Sequence, residues 1–305
     1  MTRSDNLQLR ILREIASPST FGSKLRPTYS DIAKKLGVDE ETARVRVRRA
    51  QQSGSVLGWQ LALNPHLLGR EATNVMLEVD DPSSKDSVIS RIELVDEVVM
   101  IMDFYEKPIR VVFYHENDRD RERRLSLIQS TCGDKNPITW QDVFAPCDVK
   151  LKRTDWQILK ALRTDSMQSN ADIANELRVS ARTVKRRLSF MTGSKAIYSF
   201  ARGDVKKMPG MAYFFLVDCA NGGKKDQVDE KITSRLENAV YIETGNKQYS
   251  TFTVVFQNPA EADETYRWMK SLDGADDVKM SMMREIVSVP DWLDKEIEKH
   301  LRKDS

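Results

Sequence analysis

The chain repeats itself, and this repeat is the feature that most limits how it can fold. Residues 31–59 align without a gap with residues 172–200, and 8 of the 29 positions are identical. Upstream, "ILREI" at 11–15 matches "ILKAL" at 158–162. Because a repeated sequence unit folds as a repeated structural unit, we expect two copies of one architecture within the 305 residues.

Each repeated stretch has the pattern of three helices. An amphipathic first helix is followed by a short second helix, a tight turn and a third helix. Asp39 and Ser180 precede the third helices and are good N-cap residues. A short hairpin is expected next, over Ser55–Leu61 in the first copy and Ala196–Ala201 in the second. This order is typical of a winged helix-turn-helix, whose third helix enters the DNA major groove.

The segment after each repeated stretch also has a common pattern. Alternating apolar runs and amphipathic stretches follow in the order β-α-β-β-α-β, from Thr73 to Phe144 and again from Ala212 to Val289. That order is typical of a ferredoxin-like sheet with two helices on one face. Pro290 ends the last strand, and the charged stretch after it is expected to form a C-terminal helix.

The expected fold class is therefore α+β, with two winged helix-turn-helix domains alternating with two ferredoxin-like (βαββαβ) domains. The predicted helix-turn-helix domains cover 1–63 and 150–203, and the predicted ferredoxin-like domains, with effector-binding or oligomerisation roles, cover 70–147 and 210–290. The C-terminal helix covers 291–305.

The positive charge lies mainly in the two helical segments. The formal net charge is only +2, but residues 1–60 hold 11 Lys or Arg against 6 Asp or Glu, and residues 148–207 hold 14 against 6. The rest of the chain is acidic. Two basic segments on an acidic body indicate two surfaces for a polyanion, and double-stranded DNA is the expected partner.

Helical phase divides each third helix into a buried and an outward face. The buried positions recur at spacings of four and three, and they are Ala43, Val47, Ala50, Val184, Leu188 and Met191. Arg can pair bidentately with guanine, Thr can touch a thymine methyl group, and Lys and Arg bind phosphates. The predicted DNA-binding residues are Thr42, Arg44, Arg46, Arg48, Arg49, Arg182, Thr183, Lys185, Arg186 and Arg187.

The two third helices are not expected to contribute equally. Glu40 and Glu41 stabilise the start of the first of these helices through its dipole, but they also repel phosphates. The outward face there includes Val45 beside Arg44 and Arg48, whereas the second helix has no acidic residue. We therefore expect the second module to make more of the base-specific contacts.

No catalytic or metal site is predicted. Cys132, Cys147 and Cys219 form no CxxC pair and have no adjacent His, so they are expected to be ordinary buried thiols in a reducing compartment. The sequence has no phosphate loop, dinucleotide fingerprint, HExxH motif or nucleophile elbow. No apolar run approaches the length of a membrane span. The expectation is a cytoplasmic protein that is not an enzyme and has no cofactor.

Two stretches resemble one family. "RVRVRRAQQSGSVLGWQLALNPHLLG" at 44–69 is similar to the end of the helix-turn-helix and the linker of Lrp/AsnC transcription regulators. "RTDWQILKALRTDSMQSNADIANELRVSARTVKRRL" at 153–188 resembles the start of the same domain. The resemblance implies that the sheet domains mediate dimerisation and bind small effectors, often amino acids. It places an effector-binding loop at Thr244, Gly245 and Asn246.

The chain resembles a fused, two-copy form of such a regulator. One molecule with two unequal third helices could then read two half-sites that need not be palindromic. Assembly into a homodimer is expected. Two alternatives stay open: a chromatin-organising protein with low sequence preference, and a decarboxylase of modified tetrapyrroles, since such enzymes share this fold.

Overall fold

The computed structural model describes residues 3–16, 25, 27–164, 168–220 and 222–303. It is a mixed α/β fold, as the sequence predicts at that level. No helix in these residues combines the length and the apolar character that crossing a membrane requires.

The first half begins with three helices and a strand. They are α1 (Arg3–Ala16), α2 (Tyr29–Leu36), α3 (Glu40–Gln52) and β1 (Val56–Leu63). The elements that follow have the order β-α-β-β-α-β. They are β2 (Glu71–Glu78), α4 (Lys85–Ile92), β3 (Val98–Phe104), β4 (Pro108–His115), α5 (Asp118–Cys132) and β5 (Ile138–Gln141).

The second half has the same order of elements and adds one helix. Its helices and first strand are α6 (Arg153–Thr164), α7 (Asn170–Leu177), α8 (Ala181–Gly193) and β6 (Ile197–Gly203). The sheet elements are β7 (Met211–Asp218), α9 (Lys225–Arg235), β8 (Ala239–Glu243), β9 (Tyr249–Phe256), α10 (Pro259–Lys270) and β10 (Asp277–Ser288). The chain then forms α11 (Asp291–Lys303).

The second helix of each half starts and ends in the same way. Thr28 forms a capping box with Asp31 at the start of α2, and Ser169 forms one with Asp172 at the start of α7. Such a box satisfies two backbone donors that the first turn leaves unpaired. The residues that end these helices, Gly37 and Arg178, are both left-handed, and this sharp reversal sets the direction of the third helix.

The expected hairpins over Ser55–Leu61 and Ala196–Ala201 are not formed. Each half instead supplies one strand, and β1 pairs antiparallel with β6 from Val56↔Gly203 to Leu63↔Ile197. A lone short hairpin is at best marginally stable. The equivalent strand of the other half offers a longer edge with matching hydrogen-bonding groups, so pairing occurs between the halves.

The remaining strands form one sheet of eight, in the order β5-β2-β4-β3-β10-β7-β9-β8. Strand β10 joins the halves because residues 277–282 pair with β7 and residues 283–288 pair with β3. Helices α4 and α5 cover one face of the first half, and α9 and α10 cover one face of the second.

The other face of the sheet forms a core that both halves share. Phe104 and Phe214 lie with ring centroids 5.5 Å apart, and Trp140 on β5 lies 5.8 Å from Tyr249 on β9. Strands from the two ends of the sheet therefore meet, which shows that the sheet curls around this core.

The helical segments pack across the halves. Helix α1 packs against β8, and the Asn6 side chain donates a hydrogen bond to Glu237. The core beneath α6 and α8 includes Leu61, Leu63 and Tyr114 of the first half. Each half thus completes the core of the other.

Candidate nucleic-acid interface

Helices α3 and α8 begin where the N-cap residues predict. The Asp39 carboxylate accepts a hydrogen bond from the Thr42 backbone N–H at 2.7 Å, and the Ser180 hydroxyl accepts one from Thr183 N–H at 3.1 Å. The bonds from the backbone and hydroxyl of Thr42 lower the pKa of Asp39. Both threonine hydroxyls also lie within hydrogen-bond distance of the capping residues. Thr42 and Thr183 therefore help to form the caps.

The buried faces of the two helices agree with the periodicity. Ala43, Val47 and Ala50 are buried beneath α3, and Val184 and Met191 are buried beneath α8. Leu188, also predicted to be buried, is half-buried and packs against the same core. Because these residues anchor one side of each helix, the opposite side is presented to solvent.

Helix α8 presents an exposed basic surface. Arg182, Lys185 and Arg186 are all exposed, and none of them has an ion-pair partner among the residues that the structure describes. Such side chains can pair with phosphates or guanine without first breaking an internal contact.

The assignment of Arg187 to a phosphate does not fit the structure. Its Nε donates to Asp155 Oδ1 at 2.5 Å, and a terminal nitrogen binds the other carboxylate oxygen. Asp155 is fully buried at the start of α6, and its hydrogen bond raises the pKa of Arg187. The guanidinium also lies 4.6 Å from the ring centroid of Phe190. Arg187 therefore joins two helices, because its position lies toward the buried side of α8.

Helix α3 presents less unpaired charge. Arg44 forms two hydrogen bonds with the Glu41 carboxylate, at 2.8 and 2.7 Å. Arg46 is half-buried, and its carbonyl accepts a hydrogen bond from Gln8 at 3.2 Å. Arg48 and Arg49 are exposed and have no ion-pair partner in the described parts of the chain.

The fold brings the two third helices to one groove. Its volume is about 590 Å³, and its walls include Glu40 and Gln51 of α3, Lys185 and Ser189 of α8, and Trp59 of β1. Among the described residues that line this groove, Lys185 is the only predicted DNA-binding residue, so the groove brings α3 and α8 close together without including the other basic side chains.

The predicted effector loop is in contact with the first half. The Lys225 ammonium donates to the Thr244 carbonyl at 3.0 Å. Gly245 lies against Val143, and the Asn246 amide donates to the Gln141 carbonyl at 2.8 Å. Gly245 and Asn246 therefore take part in the contact between the two sheet halves, whereas the Thr244 carbonyl is bound within the second half.

A buried polar cluster lies between the two halves and was not predicted from the sequence. The guanidinium of Arg110 donates to Asn74 at 2.8 Å, contacts Glu243 of the other half at 3.4 Å, and lies between the rings of Trp140 and Phe214. Arg110 is only 2% exposed. The signal was present, since Asn74 and Arg110 interrupt apolar strands, but the partner of Arg110 could not be identified from spacing.

Two carboxyl groups meet beside this arginine. Burial and the charge of Glu243 raise the pKa of Asp142 well above its usual value. Burial alone would raise the pKa of Glu243, but hydrogen bonding from Asp142 and the charge of Arg110 lower it on balance. The two shifts have opposite directions, so Asp142 is the carboxyl group of this pair that binds a proton more readily, and the Asn74 amide donates to the Asp142 carboxyl.

Comparison with known proteins identifies one segment and one overall fold. The model of the AsnC-type helix-turn-helix domain matches residues 151–191. The chain is 28% identical over 95 residues to the HTH-type transcriptional regulator Ptr1 of Methanocaldococcus jannaschii, covering 31% of this chain and 60% of that protein. It is 32% identical over 101 residues to the regulatory protein AsnC of Haemophilus influenzae, covering 32% of this chain and 63% of that protein. The chain thus spans about 60% of the length of these relatives.

The expectation that the chain is not an enzyme is contradicted by the solved structures. A crystal structure of the siroheme decarboxylase NirDL covers 97% of this chain and 99% of its own, with 10% identity and a TM-score of 0.55. Its complex with an iron-uroporphyrin III analogue covers the same shares at 12% identity and a TM-score of 0.56. The lack of known catalytic motifs in the sequence of this chain therefore does not exclude an enzyme, because a chain of similar overall fold is one. The comparisons thus show similarity to an AsnC-type helix-turn-helix domain over residues 151–191 and similarity of the overall fold to siroheme decarboxylase NirDL.

Proposed function

We propose that this protein is a DNA-binding transcriptional regulator. The observation that carries the proposal is the exposed, unpaired set of Arg182, Lys185 and Arg186 on the third helix of the AsnC-type domain. The regulators among its relatives support the same function. The partner is double-stranded DNA, and α8 is the helix that enters its major groove. The protein acts in the cytoplasm.

We further propose that the first half is a second, weaker reader of the same kind. The proposed domains keep the bounds expected from the sequence, 1–63, 70–147, 150–203, 210–290 and 291–305. Arg48 and Arg49 supply exposed charge on α3 that has no ion-pair partner among the described residues, and the groove lined by residues of α3 and α8 supports a joint role of the two helices. One chain then binds two unequal half-sites of DNA. The protein forms a homodimer, and a small effector such as an amino acid changes its affinity for DNA.

The test is fluorescence anisotropy of the full chain on a genomic-fragment pool and on a random duplex, at low and moderate salt. We expect salt-dependent binding with a preference for particular fragments. The Arg182→Ala/Arg186→Ala variant should lose this preference, and the slope of log affinity against log salt should fall by roughly 1 to 2.

A matched control removes the same charge elsewhere. Arg119 and Arg267 are exposed on α5 and α10, so the Arg119→Ala/Arg267→Ala variant should bind fragments like the wild type. Equal binding to every duplex would favour a chromatin-organising protein of low specificity. Absence of DNA binding at low salt would overturn the proposal that the protein is a transcriptional regulator.

A second candidate function is decarboxylation of a tetrapyrrole. The full-length fold similarity to siroheme decarboxylase NirDL favours it. The measurement is anaerobic incubation of the protein with siroheme, followed by mass spectrometry of the tetrapyrrole. Loss of one or more carboxyl groups as CO₂ would establish this activity, and an unchanged mass with bound DNA fragments would leave the regulator as the function.

A further inference from the structure

The outermost position of the two third helices differs between the halves. Val45 lies on the side of α3 opposite the buried Ala43, Val47 and Ala50, and its side chain is 52% exposed. The same alignment that relates the two halves places Arg186 at this position of α8. An apolar residue and a cation thus occupy equivalent places.

Two neighbours of Val45 near the start of α3 are already engaged in hydrogen bonds within the helix. The Arg44 guanidinium is held by Glu41 through two hydrogen bonds, and the Thr42 hydroxyl is bonded to the capping Asp39. In the first two turns of α3, the outward group that is not already engaged is therefore the pair of methyl groups of Val45, and the exposed Arg48 and Arg49 follow one turn later on the same side.

The chemistry of the major groove turns this difference into a base preference. The thymine methyl is the apolar group that base pairs present there, whereas guanine presents two acceptors that match an arginine. A valine cannot donate or accept a hydrogen bond, so its favourable contact in the groove is with a methyl group.

We propose that Val45 of α3 contacts a thymine methyl group and that Arg186, at the equivalent place of α8, binds a guanine. This inference rests on the proposed function. The preferred DNA site then joins two half-sites that differ at this base pair. Val45 is the specificity-determining residue of the first half.

The experiment first selects bound duplexes from a random pool with the full-length wild type, Val45→Arg and Arg186→Val. Val45→Arg should replace a preferred thymine by guanine in one half-site only, and Arg186→Val should make the reverse change in the other half-site. These changes identify the half-site that each helix reads.

The second step removes the methyl group from the DNA. Deoxyuridine is placed at the thymine identified for Val45, and affinity is measured by anisotropy. Wild-type binding should weaken about fourfold, the value of one buried methyl group. Val45→Ser should bind the thymine and deoxyuridine duplexes equally, whereas Leu94→Ser, which changes a leucine that is 83% exposed on the sheet module, should retain the wild-type discrimination.

The outcomes separate this inference from the proposed function. Sequence-specific binding that does not change with deoxyuridine, or a Val45→Arg variant that selects the wild-type site, would overturn the role of Val45 while leaving the regulator intact. A protein that binds no DNA would overturn both.

Discussion

Adjacent residues of α8 have opposite roles although they share one side-chain type. Arg186 is exposed and unpaired within the described chain, whereas Arg187 binds the fully buried carboxylate of Asp155. A rotation of one residue along a helix moves a side chain by about 100°. This difference in direction separates a group that can meet DNA from one that holds two helices together.

The two arginines should therefore respond differently to truncation. Arg187→Ala leaves the buried Asp155 carboxylate without its partner and should lower the free energy of unfolding by about 3 kcal/mol. Arg186→Ala should change it by less than about 0.5 kcal/mol while weakening DNA binding. Urea denaturation and anisotropy on both variants check this. Similar destabilisation by the two substitutions would contradict the assignment.

At the scale of elements, caps and exchanged strands define the helical segments. Asp39 and Ser180 each satisfy a backbone donor in the first turn of a third helix. The strands that follow pair with each other, so β1 and β6 connect the two helical segments. The start of each third helix is a local property, whereas the connection between them is not.

The cap of α8 offers a test at this scale. Ser180→Ala removes the hydroxyl that accepts the Thr183 N–H and should cost about 1 kcal/mol of stability. Ser189→Ala, an exposed position in the middle of the same helix, should be close to neutral. Thermal and urea unfolding of both variants measure the difference. Equal stability of the two variants would show that the cap contributes nothing.

At the scale of the whole molecule, the two sheet halves meet along a contact that contains charge. Arg110 of the first half binds Glu243 of the second, and Asp142 of the first half, whose pKa is raised, is the carboxyl group beside them that binds a proton more readily. Removal of the Asp142 carboxyl group leaves Arg110 with its partner Glu243. Removal of the Glu243 carboxyl group leaves Arg110 without that partner.

At neutral pH, substitution of Glu243 should therefore lower the free energy of unfolding, whereas substitution of Asp142 should not. Asp142→Asn keeps a hydrogen-bond donor toward Glu243 without a group that must stay protonated, so the variant should be at least as stable as the wild type. Glu243→Gln leaves the buried Arg110 without its anion and should cost about 3 kcal/mol. Urea denaturation at pH 7 of both variants is the measurement. Strong destabilisation by Asp142→Asn would show that Asp142 is ionised in the folded chain.

The same pair predicts a pH dependence. The pKa of Asp142 is raised in the folded chain, so above its ordinary value of 3.8 the folded state binds a proton that the unfolded state has lost. Its contribution to stability is therefore complete below that value and decreases as the pH rises toward the raised pKa. The lowered pKa of Glu243 acts in the opposite sense, with stability lost as pH falls through it. Asp142→Asn should reduce the first slope in a plot of unfolding free energy against pH, relative to the wild type, and an unchanged slope would contradict the raised pKa of Asp142.

The sequence by itself determined the properties that depend on contiguous residues. The buried positions of α3 and α8, their N-caps and the β-α-β-β-α-β order follow from periods and capping rules that act within a few residues. Only the tertiary structure decided which partners meet across the chain. The pairing of β1 with β6, the contact of Arg110 with Glu243 133 positions away and the binding of Arg187 to Asp155 32 positions away all depend on how the halves pack. Local pattern cannot specify these contacts because each is selected by the burial and charge of a surface that exists only once both halves have folded together.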